Sequence, residues 1–283
     1  MNGRGRPRAL AAALAMAAVG LVACGKGKVG VASPFDVEFR HSSGGLHLSL
    51  PSSVGAGLVS LRLKNSTTEP HDAQLVRVTG HQTADEVIDF FRSTRQPDYR
   101  IPSWIRGGGG ARDVPAGETV VVKQRLEEGD WYLVDPGFLD DGGVVPFTAT
   151  SGGSAAEVPK ADSRIIARDY SFTPRALKPG THEVRFENRG KQVHEVVAMR
   201  LVPGRTLDEA KAYLSDPNRP VAPRAAPVEI SDPVRLPMLD RSKSLVTELK
   251  LGTGTWVLTC LLPDRAGGPL HAAKGMVADV KVG

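Results

Sequence analysis

The sequence predicts an all-β fold of two tandem Greek-key β-sandwiches, each with one short inserted helix. Short segments alternate apolar and polar residues and are separated by glycine and proline, which is typical of sandwich strands. One pattern recurs in both halves of the chain, which indicates two copies of one domain. The predicted strands are Leu58–Leu63, Ala73–Val78, Thr119–Gln124, Glu183–Phe186, Glu195–Leu201, Leu245–Leu251 and Val277–Val282.

The repeat is clearest in the spacing of an asparagine and a histidine. Asn65 ends an apolar run and His71 follows six residues later, while Asn188 precedes His194 by the same distance. Because this spacing recurs among matching apolar residues, His71 occupies the position in the first copy that His194 occupies in the second. We interpret His71 as a relic of that position.

A helix is predicted after each histidine-bearing strand. The sequences Thr83-Ala-Asp-Glu86 and Thr206-Leu-Asp-Glu209 have the form of a capping box, in which threonine and glutamate satisfy free N–H groups at a helix start. Each copy later closes on a tryptophan-bearing segment, and Asp135 then falls where the second copy has Cys260. The first copy therefore looks like a metal-free duplicate.

The N-terminus indicates export and a lipid anchor. Residues 1–23 combine three arginines with a short apolar stretch, as in a signal peptide. Leu21-Val-Ala-Cys24 resembles the lipobox of bacterial lipoproteins, which implies that Cys24 carries lipid and attaches the protein to the outer face of the cell membrane. Removing residues 1–23 leaves 33 basic and 31 acidic residues, a net charge of +2. With no basic run left, no nucleic-acid partner is expected.

The chain divides by composition into five segments. After the signal peptide we predict a lipid tether (24–34), a first domain (35–150), a flexible linker (151–160) and a second domain (161–283). Ser215–Pro237 is rich in proline and is interpreted as a long surface loop. Arg106–Arg112, a run of four glycines between arginines, is interpreted as its counterpart in the first copy.

The second copy carries a set of soft-metal ligands. Cys260, His271 and Met276 lie within one short stretch, and His194 is available as a fourth ligand. A cysteine, two histidines and a weak axial methionine are the ligands of mononuclear blue-copper sites. An unpaired cysteine in an oxidising compartment also needs a reason, and metal ligation supplies one. The alternative is that Cys260 is a small buried apolar residue.

Residues 162–283 resemble a cupredoxin domain of the plastocyanin/azurin type. The segment from Phe186 to His194 is similar to the strand and turn before the first histidine ligand of that family. The order cysteine, loop histidine, methionine is its second signature. The resemblance implies that His194, Cys260 and His271 are equatorial ligands and Met276 the axial one. Glu195 departs from the family, several members of which have asparagine there to support the cysteine loop.

The resemblance also suggests where a partner would dock. In the family the loop histidine lies at the surface within an apolar patch, and here His271 is flanked by a candidate partner patch. Its residues are Pro269, Leu270, Ala272 and Ala273.

Three functions remain open from the sequence. The first is a lipid-anchored copper electron carrier with a redox partner protein. The second is a protein for copper acquisition, delivery or storage, with a copper-transfer partner. The third is a metal-free envelope interaction protein in which the same residues only pack. An enzyme is not expected, because the chain has no His-x-His pair for a trinuclear copper centre and no nucleophile–base motif.

The remaining histidines are expected to face solvent rather than a metal. They are His41, His47, His81 and His182.

Overall fold

The computed structural model describes residues 30–96, 98–216, 218–219 and 226–283. The predicted signal peptide and Cys24 lie outside these residues. The described chain forms two large β-sheets and two α-helices, and the predicted all-β fold class is confirmed. Each of the seven strands predicted from apolar alternation is present, with its ends shifted by up to three residues.

We call residues 30–150 the first half and residues 161–283 the second half. The strands of the first half are β1 (Ser33–Ser42), β2 (Gly45–Ser49), β3 (Ser53–Gly55), β4 (Gly57–Asn65), β5 (His71–Val78), β6 (Ile105–Val114), β7 (Thr119–Leu126), β8 (Gly129–Val134) and β9 (Val144–Thr150). The strands of the second half are β10 (Ser163–Arg168), β11 (Ser171–Arg175), β12 (Gly180–Asn188), β13 (His194–Arg200), β14 (Val234–Leu239), β15 (Ser244–Leu251), β16 (Gly254–Thr259) and β17 (Val277–Val282). The helices are α1 (Ala84–Ser93) and α2 (Leu207–Ser215), and His271–Lys274 form a 3₁₀ turn.

The two halves follow the same path, and each contributes to both sheets. One sheet has the order β11-β10-β12-β15-β7-β4-β1-β2, and the other has the order β17-β16-β13-β14-β6-β5-β8-β9-β3. Strand β3 is the one described strand of the first half without a counterpart in the second. The observed topology therefore reflects the repeat seen in the sequence.

Both sheets run continuously from one half into the other. Strand β7 pairs antiparallel with β15, and β6 pairs antiparallel with β14 at Gly108 and Leu239. Equivalent strands meet at both junctions, which is the self-complementary arrangement of a two-fold symmetric dimer. The two halves thus share their sheets as well as their covalent connection.

Both helices begin where the capping boxes predicted. The side chain of Thr83 accepts a hydrogen bond from the Glu86 N–H, and the Glu86 carboxylate accepts one from the Thr83 N–H. Thr206 and Glu209 make the same pair of bonds at the start of α2.

The glycine run was predicted as a surface loop, and that prediction is wrong. Residues 106–112 lie within strand β6, in the middle of the second sheet. A Cβ on Gly108 would lie 2.2 Å from the Trp131 ring, and one on Gly110 would lie 1.8 Å from the Ala73 carbonyl oxygen. Glycine is therefore required by close packing of this strand, although its low strand propensity favours a loop.

Ser215–Pro237 is also only partly a loop, since its last residues begin strand β14. Residues 217 and 220–225 lie outside the described part. The pairing of β14 with β6 explains why both proline-rich and glycine-rich segments were misread. Each contains a strand with one neighbour from its own half and one from the other half of the chain.

The structure describes the end of the predicted tether and the whole predicted linker. Strand β1 begins at Ser33, inside the predicted tether. The linker has no regular secondary structure, but the Arg125 guanidinium donates to the Ala155 and Ala156 carbonyl oxygens. Arg185 likewise donates to the Val158 carbonyl at 2.8 Å. These bonds hold the segment against both halves.

Among the described residues, no helix is both long and apolar enough to cross a membrane.

Candidate metal centre

His194 begins strand β13 and lies at the end of a tight, hydrogen-bonded turn. The Asn188 side chain donates to the Gln192 carbonyl at 2.7 Å and accepts from the Gly190 N–H at 2.8 Å. The His194 ring is fully buried. Its Nε2 lies 3.2 Å from an Asp169 carboxylate oxygen, while its Nδ1 is buried and has no hydrogen-bond partner among the described residues. An orphaned imidazole nitrogen in a core indicates an unmet ligand.

Cys260 follows strand β16 and is fully buried. Its Sγ lies 3.3 Å from the His271 Nδ1. Burial raises the pKa of the Cys260 thiol, and the nearby Glu195 charge raises it further, while backbone N–H groups of Glu195 and Leu262 donate to the sulfur and oppose the rise. The metal-free thiol is therefore protonated at neutral pH, and metal binding would release its proton.

His271 is brought back to Cys260 by a closed loop. The Ala272 N–H donates to the Cys260 carbonyl at 3.0 Å, and the His271 N–H donates to the Leu262 carbonyl at 2.8 Å. Gly275 then adopts a left-handed conformation (φ 92°), and Met276 follows, fully buried in the same apolar core as Cys260. One ligand atom from each of His194, Cys260 and His271 lies within 4.8 Å of the other two.

Two carboxylates hold the imidazoles from outside the ligand set. Asp169 lies against the His194 Nε2, and Asp264 lies 3.1 Å from the His271 Nε2. Burial lowers the pKa of His271 to about 4, helped by the neighbouring His194, and burial also lowers the pKa of His194. Both rings are therefore neutral at physiological pH, which is the state that binds metal. Carboxylates in this position fix the tautomer and orientation of a ligating histidine.

The donor set fits a soft or borderline metal ion. A thiolate, two neutral imidazoles and a buried thioether suit copper in both oxidation states. The orphaned His194 Nδ1 and the close Cys260 and His271 atoms offer one such ion a common position. His194, Cys260 and His271 are thus the residues that would hold it, and the buried Met276 stays a prediction as the axial ligand.

Glu195 supports the cysteine loop, although asparagine is the residue expected there from several cupredoxins. Its buried carboxylate accepts a hydrogen bond from the Leu261 N–H. It also lies 4.0 Å from the guanidinium of Arg112, which belongs to the first half. Burial raises the pKa of Glu195, and the Arg112 charge opposes that rise.

The first half covers the loop between Cys260 and His271. The Arg265 guanidinium donates to the Pro102 carbonyl at 3.0 Å and the Ile105 carbonyl at 2.9 Å, and it also pairs with Asp240. The loop between Cys260 and His271 is thereby fixed. Covering this loop is a structural role for the first half that sequence reasoning missed.

His271 differs from the expected surface histidine because it is fully buried. Asp264 covers its Nε2, and Lys274 and Tyr170 contact that carboxylate in turn. Of the predicted partner patch, Ala272 is wrongly placed, because it is fully buried beside α2. Three members remain accessible: exposed Pro269 and Ala273 and half-buried Leu270.

Asp169 and Asp264 were not predicted as site residues. Asp264 lies within the ligand loop, but sequence alone gives no reason to aim it at His271. Asp169 follows strand β10, more than twenty residues before His194. Only the parallel pairing of β10 with β12 brings Asp169 beside the histidine turn.

In the first half, the residue at the Cys260 position is an aspartate that bonds directly to the histidine. The His71 Nδ1 lies 2.8 Å from the carboxylate of Asp135, and both groups are buried. Asp135 follows β8 as Cys260 follows β16, as the repeat predicted. His41 and His47 are exposed, as is His81, and His182 is half-buried. His41, however, lies close to Glu69 and His71.

No protein-family description and no curated sequence matches this chain. Among solved structures, an auracyanin from Roseiflexus castenholzii is 19% identical, with 42% of this chain and 94% of that chain covered and a TM-score of 0.28. Rusticyanin from Thiobacillus ferrooxidans is 19% identical over 42% of this chain and 76% of its own, with a TM-score of 0.25. A blue copper oxidase from Nitrosomonas europaea is 12% identical over 86% and 84%, with a TM-score of 0.23. Likenesses this weak add nothing to the fold and ligand geometry described above.

Proposed function

We propose that this chain binds one copper ion in the second half and carries electrons. The observation that carries the proposal is the buried group of His194, Cys260 and His271, with the orphaned His194 Nδ1 among its possible ligand atoms. Copper held by His194, Cys260 and His271 would supply one-electron redox chemistry. One electron would come from a reduced donor protein and pass to an oxidised acceptor protein, with no bond made or broken.

The residues around the site would keep one geometry in both oxidation states. Hydrogen bonds fix both imidazoles through Asp169 and Asp264, and two backbone N–H groups donate to the Cys260 sulfur. Such donors stabilise thiolate charge and raise the reduction potential of a metal–sulfur site. Full burial of the ligands excludes water, which would otherwise reorganise when the charge changes.

The accessible part of the predicted patch is proposed as the docking surface for a redox partner. Leu270 and Pro269 precede His271 directly, so a partner at this surface would lie near a ligand. A charge placed at Leu270 would have to be desolvated on docking, which opposes association. Copper affinity should change little, because the Leu270 side chain is not a ligand.

Copper delivery or storage is the second candidate, and the burial of His271 favours it. In the expected carrier an imidazole edge reaches the surface, whereas here Asp264 covers the His271 Nε2. A covered ligand suits retention of the ion more than rapid electron exchange.

One series of measurements separates these functions. The full chain should bind one copper per molecule and show an intense visible charge-transfer band, which Cys260→Ser should abolish because the thiolate supplies it. A carrier should also show rapid electron self-exchange, slowed at least tenfold in Leu270→Glu and unchanged in Val121→Glu, an exposed apolar control on β7. Slow self-exchange with copper transfer to an acceptor would favour delivery. An unchanged spectrum in Cys260→Ser would refute the site itself.

We also propose that the mature protein begins at Cys24 and is held by lipid on the outer face of the cell membrane. The short apolar stretch and the lipobox-like sequence support this location. The tether, the two domains and the linker remain proposals at the boundaries given above.

A further inference from the structure

The first half contains a second group of metal-ligating side chains, distinct from the copper site. His41, Glu69 and His71 each offer a ligand atom, and these atoms lie within 4.8 Å of one another. The His41 Nε2 lies 2.9 Å from a Glu69 carboxylate oxygen. His41 and Glu69 are exposed, whereas His71 is buried, so the group forms a shallow site with one fixed residue.

Neighbouring side chains orient the His71 ring as they would orient a metal ligand. Its Nδ1 bonds to the Asp135 carboxylate at 2.8 Å, which places the proton on Nδ1 and leaves a lone pair on Nε2. That Nε2 is buried and has no hydrogen-bond partner among the described residues. Phe39 stacks on the ring at 5.1 Å between centroids, and Phe138 packs at 4.7 Å. An oriented imidazole with a buried, unmet nitrogen is a preorganised ligand.

Strand register explains how this site differs from the copper site. Phe39 pairs with Asn65 in the first half, and Ala167 pairs with Asn188 in the second. Counting two residues onward places His41 at the position of Asp169. In the second half, Asp169 at this position supports the candidate ligand His194. In the first half, His41 at the same position is itself a candidate ligand.

Cys260 and its counterpart Asp135 also have different roles in the two halves. Cys260 is a ligand candidate itself, while Asp135 orients His71 by accepting its Nδ1 proton. The unmet nitrogen also differs between the halves, since it is Nδ1 in His194 and Nε2 in His71. Duplication has thus retained the histidine but reversed which ring nitrogen is left for a metal.

We propose that His41, Glu69 and His71 bind a divalent transition-metal ion of the zinc type. Two imidazoles and one carboxylate leave a fourth tetrahedral position for water. Ligand atoms around such an ion are about 3.4 Å apart, given bonds of roughly 2.0–2.2 Å. Because His41 and Glu69 are exposed, small rotations of their side chains suffice to close the site. The chain would then hold copper through sulfur in one half and a harder ion through oxygen in the other.

Zinc titration of the full-length Cys260→Ser chain tests this proposal without the thiolate of the copper site. Competition against a coloured chelator should detect one Zn²⁺ per chain at the first-half site. His41→Ala and Glu69→Gln should each weaken that binding at least tenfold. His47→Ala is the matched control, because His47 is an exposed histidine on neighbouring β2 and lies outside the group; it should bind as the parent does.

The first-half site would be excluded by two results. One is no zinc binding by the Cys260→Ser chain, and the other is zinc binding that His41→Ala and Glu69→Gln leave unchanged. Both substitutions are at exposed side chains, so circular dichroism should show an intact fold. In a chain that retains Cys260, His41→Ala and Glu69→Gln should each keep the copper-dependent colour, so failure of this site would be distinct from failure of the copper site.

Discussion

Replacing Asp264 with asparagine tests whether the carboxylates behind the histidines support metal binding. Asp264 accepts from the Tyr170 hydroxyl at 3.0 Å, lies 3.1 Å from the His271 Nε2 and pairs with Lys274. Burial opposes ionisation of Asp264, but hydrogen bonds from Lys274 and Tyr170 keep its pKa below the usual value. Asparagine preserves the shape and one acceptor oxygen while removing the charge.

The expected loss is about tenfold in copper affinity. Removing a carboxylate behind a ligating histidine costs roughly 10–100-fold, or about 1.4–2.8 kcal/mol. We expect the lower end because the amide oxygen can still accept the His271 proton. The metal-free fold should lose only about 1 kcal/mol or less, since the pair with Lys274 is partly exposed and weak. Metal affinity should therefore fall more than stability.

Competition with a copper chelator measures the affinity, and urea unfolding of the metal-free chain measures the stability. Asp279→Asn is the matched control, because Asp279 is an exposed aspartate on β17. An Asp264→Asn affinity within twofold of this control would refute the supporting role of the carboxylate. A loss of stability as large as the loss of affinity would assign Asp264 to folding instead.

Three further predictions concern strand β6, the predicted axial ligand Met276 and the predicted lipid anchor. Gly110→Ala should destabilise the chain by about 3 kcal/mol in urea unfolding, because its Cβ would meet the Ala73 carbonyl in a left-handed backbone (φ 96°). Gly117→Ala, also left-handed but in open space, should cost only about 1 kcal/mol; equal losses would contradict the packing argument. Met276→Leu should keep the charge-transfer band and raise the reduction potential, as measured by voltammetry, because a weak axial thioether affects the potential of the copper more than its binding. Loss of the band would make Met276 an essential ligand. Cys24→Ala should release the protein from membranes on fractionation, and retention without lipid labelling would indicate an uncleaved anchor.

Local sequence signals were reliable where one short segment carries the information. The capping boxes at Thr83 and Thr206 specified both helix starts, because their hydrogen bonds join residues three apart. Apolar alternation likewise identified strands such as β4 and β15. The same logic failed for β6, whose glycines are needed by Trp131 and Ala73 rather than by local conformation.

The sequence by itself determined the all-β class, the duplication and the four candidate ligands, because ligand chemistry and repeat spacing are written in residue types and intervals. It did not determine the burial of His271 or the histidine-supporting carboxylates. Nor did it determine that His41 in one sheet lies beside His71 in the other. Those features depend on which strands pair and in what register, and register joins residues that are distant in sequence. Only the tertiary structure decided them, and with them which nitrogen of each repeated histidine is left for a metal.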